Sequence, residues 1–418
     1  MKANRQFLKH TAIVSGICAA LFAQHAMAAG FQLSEMSPSL EGQAYAGAAA
    51  TKNDPSAMAY NPATLATVQG NQLSLGATYI IPHVSYSGAS ATEDGIFPMS
   101  GVTSQANITP AALAPDGYIV STLPHNIKIG LSETTPWGLT TDYDNNWVGR
   151  NNAVKSSIST IDVAPTIAYQ INPYIAVGAA AHVEYMSVDY GSYQYGLVSD
   201  DLKGNSYGLG YGLGFLLTPT QTTSLGVGYR SKVTERVNGT AYIGSSDQEA
   251  AKATITLPQV LNIGVSQQIT SKLTGLATAQ WTGWDSMQSI AVYNADTLLQ
   301  NDTLDWKNSW MFSLGTTYQL TQKWVLRTGV AYDATPTQDA YRDPRIPDSN
   351  RYWVTVGAGY SPISSLMFNV AYEHIFMMPQ NINVTQPGGA PGLPTTNQVS
   401  ANYSGHADII AGSVNWTF

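Results

Sequence analysis

The sequence predicts an all-β membrane protein, a fourteen-stranded antiparallel outer-membrane β-barrel with a small, partly helical amino-terminal hatch inside its lumen. The first observation is the carboxy-terminal run Asp408–Phe418, which alternates apolar residues with small or polar ones. Side chains alternate between the two faces of a strand, and a barrel strand shows lipid one face and lumen the other. Ending the chain on such a run with an aromatic residue is typical of the closing strand of a barrel. A soluble sheet is the alternative for this run alone.

The second observation is a predicted secretory leader over residues 1–28. Three basic side chains precede the apolar stretch Ala12–Phe22, which is too short to span a bilayer as a helix. Ala26-Met27-Ala28 has the small-x-small pattern of a signal-peptidase site. Cys18, the single cysteine, lies inside this leader, so we expect a mature chain without disulfides.

The third observation is composition. Charged residues make up only 11% of the chain, less than half the usual share, whereas 24 tyrosines and 9 tryptophans are present. Mean hydropathy is nevertheless −0.08, as expected when only half of each strand faces lipid. The leader holds three of the 19 basic residues and none of the 27 acidic ones, which leaves a formal charge of −11. This charge argues against a nucleic-acid partner.

Fourteen strand-like runs follow residue 70, separated alternately by short turns and by longer polar loops. Short turns are expected on the periplasmic rim and long loops, among them Ala89–Pro115, Val198–Gly204 and Pro336–Asn350, on the extracellular rim. The predicted runs are Asn71–Ser87, Gly117–Leu123, Ile127–Thr135, Ser156–Ile171, Tyr174–Gly191, Asn205–Leu217, Thr223–Tyr242, Ala253–Ile269, Leu273–Tyr293, Leu304–Leu320, Lys323–Ala334, Arg351–Ser361, Leu366–Val384 and Ala401–Phe418.

The eighth run gives a clear example of alternation. Ile255, Leu257 and Ile263 share one parity, which we assign to lipid, and Thr254 lies on the other, luminal parity. Pro258 removes one donor from the ladder, so we expect a bulge or kink there.

Residues 29–70 do not read as barrel strands, and residues 71–418 do. The segment is rich in Ala, Gly, Ser and Met, and Ser39–Ala50 is predicted as a short helix. Asp54-Pro55 and Asn61-Pro62 each resemble an N-cap followed by proline at the first helical position. A compact segment before a barrel this wide suggests a plug, because the lumen would otherwise admit water.

These residues resemble the FadL family of outer-membrane transporters for long-chain fatty acids and other hydrophobic compounds. The resemblance lies in Gly30-Phe31-Gln32-Leu33, Ala44-Tyr45-Ala46-Gly47 and Tyr60-Asn61-Pro62-Ala63, where Asn61, Pro62 and Ala63 match the hatch motif. It continues in order through Pro136-Trp137-Gly138-Leu139 and Trp324–Gly329. It implies a hatch-closed barrel in the outer membrane, ligand capture at the extracellular loops, and lateral release near a kinked third strand.

The resemblance and the chemistry of a fatty acid suggest ligand-binding candidates. Phe31, Leu33 and Met36 are expected to touch an apolar ligand, with hatch packing as the alternative. Lys307 and Arg327 are candidates to orient a carboxylate, and their alternatives are a solvated loop charge and a luminal salt bridge. The family's basic capture residues are not matched unambiguously, so neutral hydrocarbons stay open as ligands.

Gly130 is the candidate for the lateral gate, because it lies inside the predicted third strand and permits a bend or a close approach of the hatch. The alternative is a barrel glycine with no gating role.

Other function classes fit the sequence less well. The five histidines of the mature chain lie in no recognisable catalytic motif, and there is no phosphate loop and no metal-ligand cluster, so we expect no enzyme, no cofactor and no bound metal. A general diffusion porin would be obstructed by the hatch, and an adhesin remains a second alternative. We expect a monomer among outer-membrane lipid and lipopolysaccharide.

Overall fold

The computed structural model describes residues 29–194, 198–243, 247–388 and 395–418, so the predicted leader lies outside the described residues. Fourteen antiparallel strands form one closed sheet, as predicted. They are β1 Gln72–Glu93, β2 Ala112–Thr122, β3 Ile127–Thr134 with Gly138–Asp142, β4 Lys155–Asn172, β5 Ile175–Gln194, β6 Val198–Thr220, β7 Thr223–Arg230 with Val233–Ile243, β8 Asp247–Leu257 with Val260–Gln268, β9 Leu273–Thr282 with Ser289–Asn294, β10 Thr297–Thr303 with Ser309–Gln319, β11 Trp324–Asp333, β12 Arg351–Ile363, β13 Leu366–Gly388 and β14 Thr395–Thr417.

The barrel closes because the first strand pairs with the last. Gln72 lies opposite Thr417, and the ladder continues to Glu93 opposite Asn397 with one irregularity. Closure removes the free edges that would leave backbone groups unpaired in lipid. Outward positions carry exposed apolar side chains, whereas Trp416 and Phe418 lie in contact at the periplasmic end, with ring centroids 4.8 Å apart.

Several strands extend well beyond their predicted ends. Val198–Gly204, predicted as an extracellular loop, belongs to β6, and β1 continues to Glu93. The predictions were wrong here because the wall rises above the membrane, where polar residues on both faces are tolerated and the alternation that marks a strand is lost. A short strand, Phe97–Pro98, folds back onto β1 inside the first loop.

The eighth strand is broken at Pro258, as predicted, and the break changes which residues face lipid. Ile255 and Leu257 are buried in the lumen, whereas Ile263 is exposed on the outer face. The assignment of Ile255 and Leu257 to lipid is therefore wrong. Leu257 and Val260 are both buried although they are three residues apart, so the inward positions change from odd to even numbers across the break at residues 258–259.

Residues 29–70, hereafter the hatch, pack inside the wall. Helix α1 spans only Pro38–Glu41, shorter than the predicted Ser39–Ala50, because the following residues form turns, with Ala44 and Tyr45 at positive φ. The two predicted caps are confirmed: Asp54 accepts from the Ser56 amide and Asn61 from the Ala63 amide, each ahead of proline at the first position of a 3₁₀ turn. These turns span Pro55–Ala59 and Pro62–Thr67, and others span Ala48–Ala50, Trp284–Ser286 and Asp339–Tyr341.

No helix in the described residues has the length and apolar character needed to cross a membrane.

Candidate functional site

The hatch motif packs against glycines of the barrel wall, so the two backbones come into direct contact. Asn61 is fully buried and donates through Nδ2 to the carbonyls of Ala49, at 2.6 Å, and Phe215, at 3.0 Å. A Cβ on Gly214 would lie 2.2 Å from Asn61 Oδ1, and one on Gly178 would lie 2.4 Å from the Pro62 backbone. Backbone contact this close requires glycine. The side-chain amide of Asn61 thereby joins hatch to barrel.

Sequence reasoning missed these glycines. Gly226 and Gly228 on β7 face the hatch in the same way, with added Cβ atoms 1.7 Å from Ala49 O and 1.9 Å from Tyr60 O. The sequence signal for them is glycine repeated at inward-facing positions of neighbouring strands. Gly226 and Gly228, two residues apart on the same face of β7, are an example. Such a run predicts a second backbone at close range.

We expect Gly214→Ala to dislodge the Asn61 turn while leaving the barrel assembled. The added Cβ would meet Asn61 Oδ1 at 2.2 Å and, whatever the rotamer of Asn61, the backbone nitrogen of Ala63 at 2.5 Å. Planar-bilayer recordings should show new or larger currents. The matched control is Gly412→Ala, whose Cβ would meet its nearest atom at 3.8 Å. Wild-type currents from a correctly assembled Gly214→Ala barrel would contradict this role.

The third strand is interrupted, and residues 31–33 of the hatch pair with it at the interruption. The β2–β3 ladder ends at Gly117 opposite Glu133, although β2 continues to Ala112 against β1. Beyond that point Leu33 N donates to Pro136 O at 2.8 Å, and Gly138 N donates to Phe31 O at 2.9 Å. Residues 31–33, hereafter the amino-terminal segment of the hatch, therefore pair with the edge of β3 at the point where its ladder with β2 has ended.

Phe31 sits in an aromatic cage of Trp137, Trp284 and Trp306, with ring centroids 5.9, 5.1 and 5.8 Å away. Its side chain is fully buried. Offset and edge-on ring contacts of this kind add to the gain from burial. The cage fastens the amino-terminal segment above the interrupted strand.

Leu33 and Met36 lie next to the same interruption of β3, further inside the barrel than Phe31. A Cβ on Gly138 would lie 2.9 Å from Leu33 Cδ1, and both side chains border a space shared with Pro136, Trp137 and the hatch motif. This space has a volume of only about 30 Å³, about enough for one water molecule. The site is thus filled by the chain itself.

A charged cluster borders the same space. Arg230 ends the first segment of β7 and bonds Asp162 at 2.9 Å and also Glu184, while His182 Nδ1 lies 2.8 Å from the same Asp162 oxygen. All four side chains are largely buried. Because two carboxylates already surround the guanidinium, it offers little free charge to a ligand.

Two hatch carboxyls, Glu35 and Glu41, form no salt bridge among the described residues, although the charge of Arg351 acts on Glu35. Burial raises the pKa of Glu35 to about 7, and burial together with the neighbouring Glu35 charge raises the pKa of Glu41 well above its usual range. Glu373 of the wall is buried with them and likewise forms no salt bridge within the described chain. The interior beside the hatch therefore holds several buried carboxyls.

The predicted cations are not brought to the cage. Lys307 is exposed and lies 3.8 Å from Asp305, as the solvated-loop alternative anticipated. Arg327 lies beneath the hatch, near the periplasmic start of β11, where its guanidinium donates to Asn369 Oδ1 at 3.1 Å. It borders a polar space with Ser39 and Gln43 rather than the space lined by Leu33.

Gly130 faces the hatch. An added Cβ would lie 2.9 Å from Met58 Sδ and 3.3 Å from Leu65 Cδ1. The interruption of β3 falls further along, between Thr134 and Gly138. Gly130 thus provides a close approach of hatch to wall, and the change in backbone pairing is centred on Pro136.

Comparison with known proteins identifies the family. A family model described as outer membrane protein transport protein (OMPP1/FadL/TodX) matches residues 19–418. The chain belongs to this family. It is similar to outer membrane protein P1 of Haemophilus influenzae, with 26% identity over all of both chains, and to the long-chain fatty acid transport protein of Escherichia coli K12, with 26% identity over 86% of this chain and 90% of the relative.

Solved structures give the same fold. A Pseudomonas aeruginosa FadL homologue superimposes with a TM-score of 0.87 at 24% identity, covering 93% of this chain and 100% of the other. The Pseudomonas putida toluene transporter TodX gives 0.65 at 15% identity, covering 94% and 100%. The resemblance drawn from the hatch motif is thereby confirmed. The protein is an outer-membrane transporter of the FadL/TodX type, which handles hydrophobic compounds.

Proposed function

We propose that this protein takes up long-chain fatty acids or similar hydrophobic compounds passively. The compound is captured by the extracellular loops, enters an apolar luminal pocket closed by the hatch, and leaves sideways through the barrel wall. The observation that carries this proposal is the pairing of Phe31 and Leu33 with β3 where β2 no longer pairs with it. A segment joined to the wall by two backbone hydrogen bonds can leave without unfolding a strand.

The lateral route follows from the solvation of an apolar tail. Passage straight through the hatch would bring the tail to the polar space around Arg327, Gln43 and Asn369, which offers it no favourable environment. Passage between β2 and β3 brings it directly to lipid. Each methylene kept out of water is worth about 0.8 kcal/mol, so the sideways exit is strongly favoured for a long chain.

The tryptophan cage supplies the trigger in this mechanism. An apolar ligand that enters the cage competes with the Phe31 ring for the faces of Trp137, Trp284 and Trp306. Once Phe31 is displaced, the bonds of Leu33 and Gly138 lose their anchor and the segment withdraws from β3. Ligand binding and opening are then one exchange of apolar groups, which keeps its net free energy small.

A neutral hydrocarbon is the second candidate ligand, and the charge pattern favours it. Arg230, Arg345 and Arg351 already form salt bridges with Asp162, Asp302 and Asp348, respectively. A fatty-acid carboxylate would have to displace one of these partners beside an acidic hatch. A hydrocarbon, which carries no charge, avoids that cost.

Uptake of two compounds with the same tail tests both parts. Cells that express the protein and cells with an empty vector are supplied with labelled hexadecanoic acid or hexadecane. Faster entry of at least one compound is expected with the protein, and no gain for either would overturn the proposed function. If the acid is preferred, and if Arg230→Gln abolishes this preference, the ligand is a carboxylate bound by Arg230. Arg236→Gln is the control and should leave the preference intact, because Arg236 lies on the exposed outer face.

A further inference from the structure

Three histidines form a stacked row on the outer face of the barrel, across the seam that closes it. The His83 and His406 rings are 5.3 Å apart and nearly parallel, and the His406 and His374 rings are 5.6 Å apart in the same way. They lie on β1, β14 and β13, and all three side chains are partly or fully exposed. His374 shares a strand face with the exposed Tyr372, and His406 shares one with the exposed Ile410. His83 lies directly opposite His406, so all three side chains point away from the lumen.

Their height above the periplasm can be counted along β14. Ten residues separate His406 from Trp416, which marks the periplasmic aromatic girdle. At about 3.3 Å per residue and a tilt of roughly 45°, these residues rise roughly 25 Å, the height of the apolar band of such a barrel. The register adds a second marker, since His406 lies opposite Phe376 and Phe376 lies opposite Tyr352, two exposed aromatics of the upper girdle. The histidines therefore lie where lipid headgroups begin.

The hydrogen-bonding capacity of this patch is directed outward. Asp408 is occupied by its own neighbours, since its Oδ1 accepts from Tyr372 Oη at 2.6 Å and lies 2.7 Å from His374 Nδ1. Its other oxygen, Oδ2, lies 4.0 Å from His406 Nε2. One step further from the periplasm, Ser85 and Ser404 add two exposed hydroxyls, 3.2 Å apart. The charge of Asp408 is thus held within the patch, while imidazole and hydroxyl groups remain for a ligand.

We propose that His83, His374 and His406 form a binding site for a phosphate group of an outer-leaflet glycolipid. Phosphate accepts several hydrogen bonds, imidazole rings and hydroxyls supply donors at the headgroup level, and the acyl chains of the same lipid would lie against the apolar strand faces below. The site is independent of the lumen, so it can fail while uptake persists and persist while uptake fails. It would fasten lipid across the β1–β14 seam.

The test measures binding of defined lipids to the purified, detergent-solubilised protein by native mass spectrometry. The probes are diphosphoryl lipid A, the same lipid A without its phosphates, and inorganic phosphate. We expect the wild-type protein to bind diphosphoryl lipid A at least tenfold more tightly than either other probe. The double variant His83→Ala/His406→Ala should lose that preference, and His125→Ala, a substitution in an exposed periplasmic turn, should keep it.

Equal binding of the two lipids by the wild-type protein would overturn the site, and so would a preference that survives in the double variant. Equally tight binding of inorganic phosphate would overturn the assignment to a lipid. Heat-modifiable electrophoretic migration reports barrel assembly. If the double variant fails to assemble, His83→Asn alone should still weaken diphosphoryl lipid A binding about threefold, and no weakening would count against the proposal.

Discussion

Replacing Phe31 with alanine should release the amino-terminal segment from the third strand. The Phe31 ring is fully buried among three tryptophans, and Phe→Ala at such a site costs about 3–5 kcal/mol. Because Phe31 belongs to the hatch and to none of the fourteen strands, this cost falls on docking of the segment rather than on the barrel. The equilibrium constant for docking should therefore drop on the order of a hundredfold or more.

Amide hydrogen exchange reports this loss directly. The amides of Leu33 and Gly138 donate across the junction, so both should exchange about a hundredfold faster in Phe31→Ala. The amides of β14 should be unaffected. Phe97→Ala is the matched control, because Phe97 is 64% exposed in the first loop. Unchanged exchange at Leu33 and Gly138 in Phe31→Ala would show that the cage does not anchor the segment.

The barrel could be predicted from sequence because its determinants are local. Lipid on one face and lumen on the other impose a period of two, and the run Ile409–Phe418 carries that period by itself. The caps at Asp54 and Asn61 were equally predictable, since a side-chain oxygen two residues before the amide it accepts from needs no tertiary context.

What could not be predicted depends on contacts distant in sequence. Gly30 N donates to Asp348, more than 300 residues away, and Phe31 meets tryptophans from three separate segments. Arg327 faces the lumen, as predicted, but it lies on the periplasmic side of the hatch. That position depends on how far the hatch reaches into the barrel, which the sequence pattern does not give. Parity gives the face of a side chain and does not give which side of a plug it lies on.

The interrupted strand shows the same limit at shorter range. Thr135-Pro136-Trp137 announces a break through proline, but the sequence analysis placed the gate at Gly130 because glycine is the usual sign of a close approach. In the structure, Gly130 does receive the hatch, and the break is centred on the proline. Two signals six residues apart, Gly130 and Pro136, therefore mark two different features of one strand.

Lateral release requires the junction between residues 31–33 and β3 to open, and a disulfide across the junction can hold it closed. Gln32 lies directly opposite Trp137 in an antiparallel, non-hydrogen-bonded pair, a geometry in which Cα atoms are about 4.5 Å apart and a disulfide fits. The described residues contain no cysteine that would compete. Gln32→Cys/Trp137→Cys therefore fastens the segment to β3 when oxidised and frees it when reduced.

The measurement is uptake of the labelled sixteen-carbon compound by cells expressing this variant, before and after a reductant, with Trp137→Cys alone as the control for loss of the indole. We expect at least a tenfold fall in uptake when the disulfide is closed and recovery to the level of Trp137→Cys when it is opened. Equal uptake by the oxidised and reduced forms, with the disulfide verified by mass spectrometry, would contradict lateral release at this junction.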